Sequence, residues 1–138
     1  ELDYARVFKI KALFPELEVI LNGGISTLDS SEELLQSVDG IMIGREAYKN
    51  PYILHQVDSR IFGEKPSSNT RLDYLNQYLK YIEAELERGT PLHHMTRHIL
   101  GLFKGQVGGK QFRRHLSENS HRKDAGLNLV LDAMAYVS

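Results

Sequence analysis

No cysteine occurs among the 138 residues. That excludes disulfides, thiolate metal sites and a cysteine acid or nucleophile within this stretch, and it fits a cytoplasmic setting. No apolar run approaches the ~18 residues of a membrane-spanning helix, and no secretory leader pattern is visible. The chain begins Glu1-Leu2-Asp3 without a Met, which reads as a fragment or a processed product. A dominant charge sign is also missing, since the formal net is −1. Apolar residues make up 41% and charged residues 25%, an ordinary globular composition for one compact domain or parts of two.

The near-zero net charge conceals an asymmetry. Residues 1–92 carry 10 basic and 15 acidic side chains. Residues 93–123 carry seven basic ones (Arg97, Lys104, Lys110, Arg113, Arg114, Arg122, Lys123) against Glu118 alone, a net of +6. The same stretch holds five of the six histidines. A local field of one sign suggests a polyanionic partner. The plainer alternative is a solvated helix face.

The first third alternates helix and strand. Val7, Ile10, Leu13 and Phe14 fall at helical spacing, and Pro15 ends that helix. Val19-Ile20-Leu21 is a short apolar run leading into Asn22-Gly23-Gly24, which reads as a buried strand entering a tight loop. Ser26 or Thr27 caps a following helix carrying Leu34, Leu35 and Val38. Gly40-Ile41-Met42-Ile43-Gly44 reads as a second buried strand. Arg45–Tyr48 forms a short helix, and Pro51 opens another over Tyr52–Phe62. This order predicts parallel strands covered by helices. Two parallel strands need further neighbours, so the pattern implies part of a larger barrel or sheet. Exposed strand edges would then favour self-association of the isolated piece.

The polar stretch Gly63–Asn69 marks a boundary. Beyond it the pattern is all helical. Leu72, Leu75, Leu79, Ile82 and Leu86 form one stripe. Gly89 ends that helix, Leu92–Phe103 is the next, Gly105–Gly109 is a break, and Lys110–Asn119 and Ala125–Tyr136 complete a small bundle.

Two loops carry the chemistry of the first part. Asn22-Gly23-Gly24-Ile25 and Gly44-Arg45 each follow a short strand and precede a helix. Glycines there allow close backbone approach and exposed amides, and Arg45 adds a planar cationic fork suited to phosphate oxygens. In eight-stranded α/β barrels the loops after the last two strands commonly build a phosphate site. The bland reading is a pair of tight turns with Arg45 solvated. In the second part, Lys110, Arg113 and Arg114 lie at i, i+3 and i+4 on one helix face, while Phe112 and Leu116 anchor the other. Gly108-Gly109 leaves the first amides of that helix open to a phosphate. His93 and His94 point to different helix faces. His94 and His98 share one face but have no local partner to complete a metal site. Tyr74, Tyr78 and Tyr81 read as packing residues.

At these residues the sequence resembles a known family. Glu18–Ile25, Val38–Arg45, Ala47-Tyr48 and Asn50-Pro51-Tyr52 are similar to the end of the flavin barrel of tRNA-dihydrouridine synthases of the A type. Thr96–Phe103, Gly105-Gln106 and Arg113–Asn119 resemble the helical domain of the same subfamily. The resemblance implies a fold that is α/β followed by all-α. Residues 1–63 would be the C-terminal part of an FMN-binding (β/α)8 TIM barrel, contributing its last two βα units. Residues 64–138 would be a helical tRNA-binding domain. It also implies an oxidoreductase that reduces specific uridines of tRNA to 5,6-dihydrouridine, with NADPH as reductant of the FMN. Asn22, Gly23, Gly24, Gly44 and Arg45 match the family's FMN-phosphate loops, and Lys110 and Arg113 fall where the subfamily places basic residues against tRNA. The family's catalytic cysteine lies on an earlier barrel loop, so no catalytic residue is assigned here and the isolated piece is expected to be non-catalytic. Two alternatives stay open: a stand-alone RNA-binding helical module, and a piece of another phosphate-binding TIM-barrel enzyme.

Overall fold

The computed structural model describes residues 2–138, folded as two compact units: residues 2–47 with Ile53–Pro66, and Tyr48–Tyr52 with Ser67–Ser138. The structure is mixed α/β and mostly helical, with one two-stranded sheet among the described residues.

In the first unit, α1 (Tyr4–Leu13) starts at Asp3, whose carboxylate accepts from the Arg6 amide at 3.1 Å. β1 (Ile20–Asn22) and β2 (Gly40–Met42) pair in parallel, with Ile20 opposite Gly40 and Asn22 opposite Met42. Between them runs α2 (Leu28–Leu35), capped by Thr27, whose hydroxyl oxygen accepts from the Ser30 amide at 3.2 Å. Leu21, Ile25 and Val38 form the core, packed by Tyr4, Val7, Phe8, Leu34, Ile41 and Ile43. The inward stripe of α1 is Tyr4, Val7 and Phe8, whereas Ile10, Leu13 and Phe14 face outward. One expectation needs correction: the strands are not buried throughout, because Ile20 and Met42 are 52% and 46% exposed. Alternate residues of a strand point to opposite faces, and only the Leu21 side is covered within this unit.

The outer surface of this unit is tied by ion pairs. The Lys11 ammonium donates to the carbonyls of Pro15 and Leu17 at 2.9 and 2.8 Å and pairs with Asp39 at 2.8 Å. Asp39 also accepts from the Val19 amide at 2.8 Å. In the short helix α4 (Val57–Ile61), Arg60 bridges Asp29 and Glu32 of α2. The expected helix over Tyr52–Phe62 is instead a 3₁₀ turn, Pro51–Gln56, followed by α4. Its predecessor α3 spans Arg45–Lys49.

The second unit is a helical bundle. α5 (Arg71–Glu87) opens with a reciprocal cap in which Thr70 and Asp73 each hold the other's backbone amide. It ends before Gly89, whose φ of +84° suits the left-handed position after a helix. α6 (Leu92–Thr96) is much shorter than the expected Leu92–Phe103. From Arg97 the chain descends in successive tight turns: Ile99 donates to Thr96, Leu102 to Ile99, Lys104 to Gly101 and Gln106 to Phe103. Within these turns, a Cβ on Gly101 would stand 2.1 Å from the Lys49 carbonyl oxygen. α7 (Gly109–Asn119) and α8 (Leu127–Met134) close the bundle. Leu75, Ile82, Leu92, Met95, Phe103, Phe112, Leu116, Val130 and Ala133 form its core. Phe112 and Leu116 anchor α7 as expected, and the Phe112 ring meets Phe103 edge-on at 4.8 Å.

Candidate cofactor loops and nucleic-acid groove

The parallel register decides where the first pair of loops lies. Asn22 stands opposite Met42, so Gly23-Gly24 and Ile43-Gly44-Arg45 leave the same edge of the sheet, on strands ~4.8 Å apart. Gly23 and Gly24 have φ of +122° and +65°, conformations that side chains resist. The Tyr4 hydroxyl donates to the Gly23 carbonyl, and the Leu2 side chain lies against the Cα of both glycines. The carbonyl side of this loop is therefore engaged by the start of α1. Arg45 is exposed, and its side chain makes no hydrogen bond or ion pair among the described residues. Asn22 and Gly44 are exposed as well.

The second set lies in the helical unit. A groove of about 790 Å³ runs between the Tyr48-Lys49 segment, the turns from Arg97 to Gly105 and the start of α7. Its walls carry Lys49, Arg97, Lys104, Lys110 and Arg113, and among the described residues no carboxylate lines it. Lys110 and Arg113 sit on it, with no side-chain partner among the described residues. Arg114 does not line the groove and pairs with Glu118 at 2.8 Å, one helical turn on. The expected trio thus divides into two cations on the groove and one outside it that is ion-paired.

α7 begins at Gly108 in a left-handed conformation, with no side chain capping its first turn. A Cβ on Gly108 would lie 1.6 Å from the Tyr136 carbonyl oxygen, and one on Gly109 would lie 2.0 Å from that of Phe103. Glycine is required at both positions by close backbone approach. Gly108 and Gly109 also line the groove, so the helix start opens onto it with its partial positive charge.

The histidines behave differently from expectation. The rings of His93 and His94 meet edge-on with centroids 4.4 Å apart, and His121 lies 5.2 Å from His93. Partial burial holds the His93 pKa below the ordinary histidine value, and neighbouring His94, His121 and Arg97 push the same way. Among the described residues no group of three or more His, Asp or Glu side chains is arranged to hold a metal ion. His115 is half-buried, with its ring 5.8 Å from Tyr136. Tyr78 packs inward and donates to the Met95 carbonyl at 3.3 Å; burial raises its pKa. Tyr74 meets Tyr52 edge-on, while Tyr81 is 51% exposed beside Tyr78.

Several groove residues were not singled out from the sequence. Arg97 and Lys104 lie within the basic stretch, which was a usable signal. Tyr48 and Lys49 come from a remote segment; Ala47-Tyr48 carries part of the family resemblance, but no spacing places it beside Arg97.

Two glycine-bearing loops leave one end of a parallel sheet, and the helical unit carries a groove lined by five cationic side chains. The chain belongs to the dihydrouridine synthase (Dus) family, which it matches over residues 1–137. It is 48% identical over 136 residues to a tRNA-dihydrouridine(20/20a) synthase of Vibrio cholerae, covering 99% of this chain and 42% of that relative. Proteins of the same description in Yersinia pestis and Escherichia coli K12 are 47% and 46% identical over 137 residues, again across 99% of the chain and 40% of theirs. The chain therefore spans about two fifths of the length of the relatives it matches.

Proposed function

We propose that this chain is the C-terminal portion of an FMN-dependent tRNA-dihydrouridine synthase acting in the cytoplasm. Residues 1–63 contribute the last two βα units of a TIM barrel, and residues 64–138 form its tRNA-binding helical domain. No helix among the described residues is long and apolar enough to cross a membrane. The observation that carries the tRNA reading is the groove, with five cationic side chains and, among the described residues, no carboxylate on its walls. Such a surface attracts a phosphodiester backbone regardless of sequence, by displacing condensed counterions. An enzyme that reduces a base must also draw it out of its stack, and grip on the flanking backbone offsets that cost of a few kcal/mol.

The first unit fits the phosphate end of FMN. Two glycines with positive φ permit close backbone approach, and Arg45, without a partner among the described residues, offers a planar fork at the same sheet edge. Asn22, Gly23, Gly24, Gly44 and Arg45 would hold the phosphate. When bound and reduced by NADPH, the flavin supplies hydride for the C5=C6 bond of uridine. This chain's residues anchor the cofactor and orient the RNA; without a cysteine, they provide no proton donor of the family's kind. The 138-residue piece with added FMN is accordingly expected to form no dihydrouridine in tRNA.

The test uses the full-length protein. Lys110→Glu and Arg113→Glu should each weaken tRNA binding about tenfold or more and flatten its salt dependence by about one charge. Arg114→Glu should have a smaller effect, because Arg114 is already paired. Unchanged tRNA affinity in the first two variants would refute the reading.

A further inference from the structure

The groove contains an arginine whose orientation is fixed by an aromatic hydroxyl. The Arg97 Nε–H donates to the Tyr48 hydroxyl oxygen at 3.1 Å. Arg97 forms no ion pair among the described residues, and its side chain is exposed on the groove wall. Using Nε for Tyr48 leaves the two terminal Nη groups as a parallel fork of donors, the geometry that takes two oxygens of one phosphate. The Tyr48 hydroxyl accepts from Arg97, so its own proton is available to donate. Tyr48 is in turn held, since its ring meets His98 edge-on at 5.7 Å. The segment carrying it is pressed against Gly101, whose missing side chain admits the Lys49 carbonyl.

A solvated arginine would not need this support. Ordering an exposed guanidinium opposes up to ~2 kcal/mol of side-chain entropy, and a hydrogen bond to a half-exposed hydroxyl recovers little of it in water. The arrangement makes sense when a ligand uses the fork. Lys110 and Arg113, also without partners among the described residues, line the same groove and match a chain of phosphates rather than a single anion.

We propose that Arg97 is a phosphate anchor of the groove, gripping one phosphodiester of the bound RNA through its Nη fork, and that Tyr48 is the positioning residue that aims it. This rests on the reading that the helical unit binds tRNA. It goes further by naming the contacted chemistry and separating an oriented fork from general positive charge.

The experiment measures tRNA affinity of the full-length protein across a range of salt for Arg97→Ala, Arg97→Lys, Tyr48→Phe and the Arg97→Ala/Tyr48→Phe pair, with Lys110→Glu as a control on the reading itself. Loss of charge-assisted hydrogen bonds predicts about tenfold or greater weakening for Arg97→Ala. Arg97→Lys should be nearly as weak, because lysine keeps the charge and loses the fork. Tyr48→Phe should weaken binding about threefold with an unchanged salt slope, and should add nothing in the Arg97→Ala background. Thermal melting of each variant checks that the fold persists. Wild-type affinity in Arg97→Lys, or additive losses in the double variant, overturns the proposal while tRNA binding by the groove stands. Unchanged affinity in Lys110→Glu as well as in the Arg97 variants overturns both.

Discussion

A methyl group at position 108 would meet the Tyr136 carbonyl oxygen at 1.6 Å and its carbon at 2.6 Å, with a backbone φ of +77°. Gly108→Ala therefore combines two penalties. The left-handed conformation costs about 1–2 kcal/mol for a residue with a Cβ. Overpacking against main chain adds about 1–3 kcal/mol, because a carbonyl cannot swing aside as a side chain can. The total is about 2–5 kcal/mol. Gly105 has nearly the same φ, +79°, but nothing within 4 Å of its Cβ position. Gly105→Ala thus isolates the conformational term, about 1–2 kcal/mol. For a unit of this size each kcal/mol moves the melting temperature by about 4–8 °C. Gly108→Ala should then melt below Gly105→Ala by about 5–20 °C when unfolding is followed by far-UV circular dichroism. Melting within a few degrees of each other would mean that the last turn of the chain yields freely, and would refute the close approach as a structural constraint.

Two further outcomes follow from the packing and the ion pairs. Phe112 is fully buried against Phe103, so Phe112→Ala should destabilise the helical unit by about 3–5 kcal/mol, measured by urea unfolding. The Lys11 ammonium, and secondarily the Val19 amide, hold the Asp39 carboxyl below its ordinary pKa of 3.8. A depressed carboxyl stabilises the fold above its unfolded pKa, and that contribution disappears as pH falls through the folded value. Asp39→Asn should therefore be less stable than the parent near pH 6, with the gap closing below about pH 4; a gap of constant size across that range would rule out the ion pair as its source.

Local signals in the chain were readable where local chemistry decides the outcome. Thr27 caps α2, Gly89 follows α5, and Phe112 with Leu116 turns α7 inward, each as its own neighbours dictate. The departures come from contacts between distant residues. α6 stops at Thr96 although Leu100, Leu102 and Phe103 continue an apolar pattern, and Gly101 accommodates a carbonyl from Lys49, about fifty positions earlier. Ile10, Leu13 and Phe14 are spaced for burial yet lie open, because helical period alone does not say which flank meets the sheet. The candidate sites divide the same way. Glycine-rich strand ends announce themselves, and the parallel register then brings them to one edge. The groove is assembled from Tyr48-Lys49 and a stretch beginning at Arg97, a juxtaposition that no spacing rule encodes. Arg114, next to Arg113 on the helix, lies off the groove and pairs with Glu118.

The contact at Gly101 also bears on how this protein can drift. Its neighbour there is the main-chain carbonyl of residue 49, a group that every amino acid carries. A damaging substitution at position 101 therefore cannot be rescued by exchanging the side chain at position 49. In a suppressor screen starting from a bulky residue at 101, revertants should appear at the codon itself or in residues that let the 48–50 segment shift, and the lysine codon should not be among them.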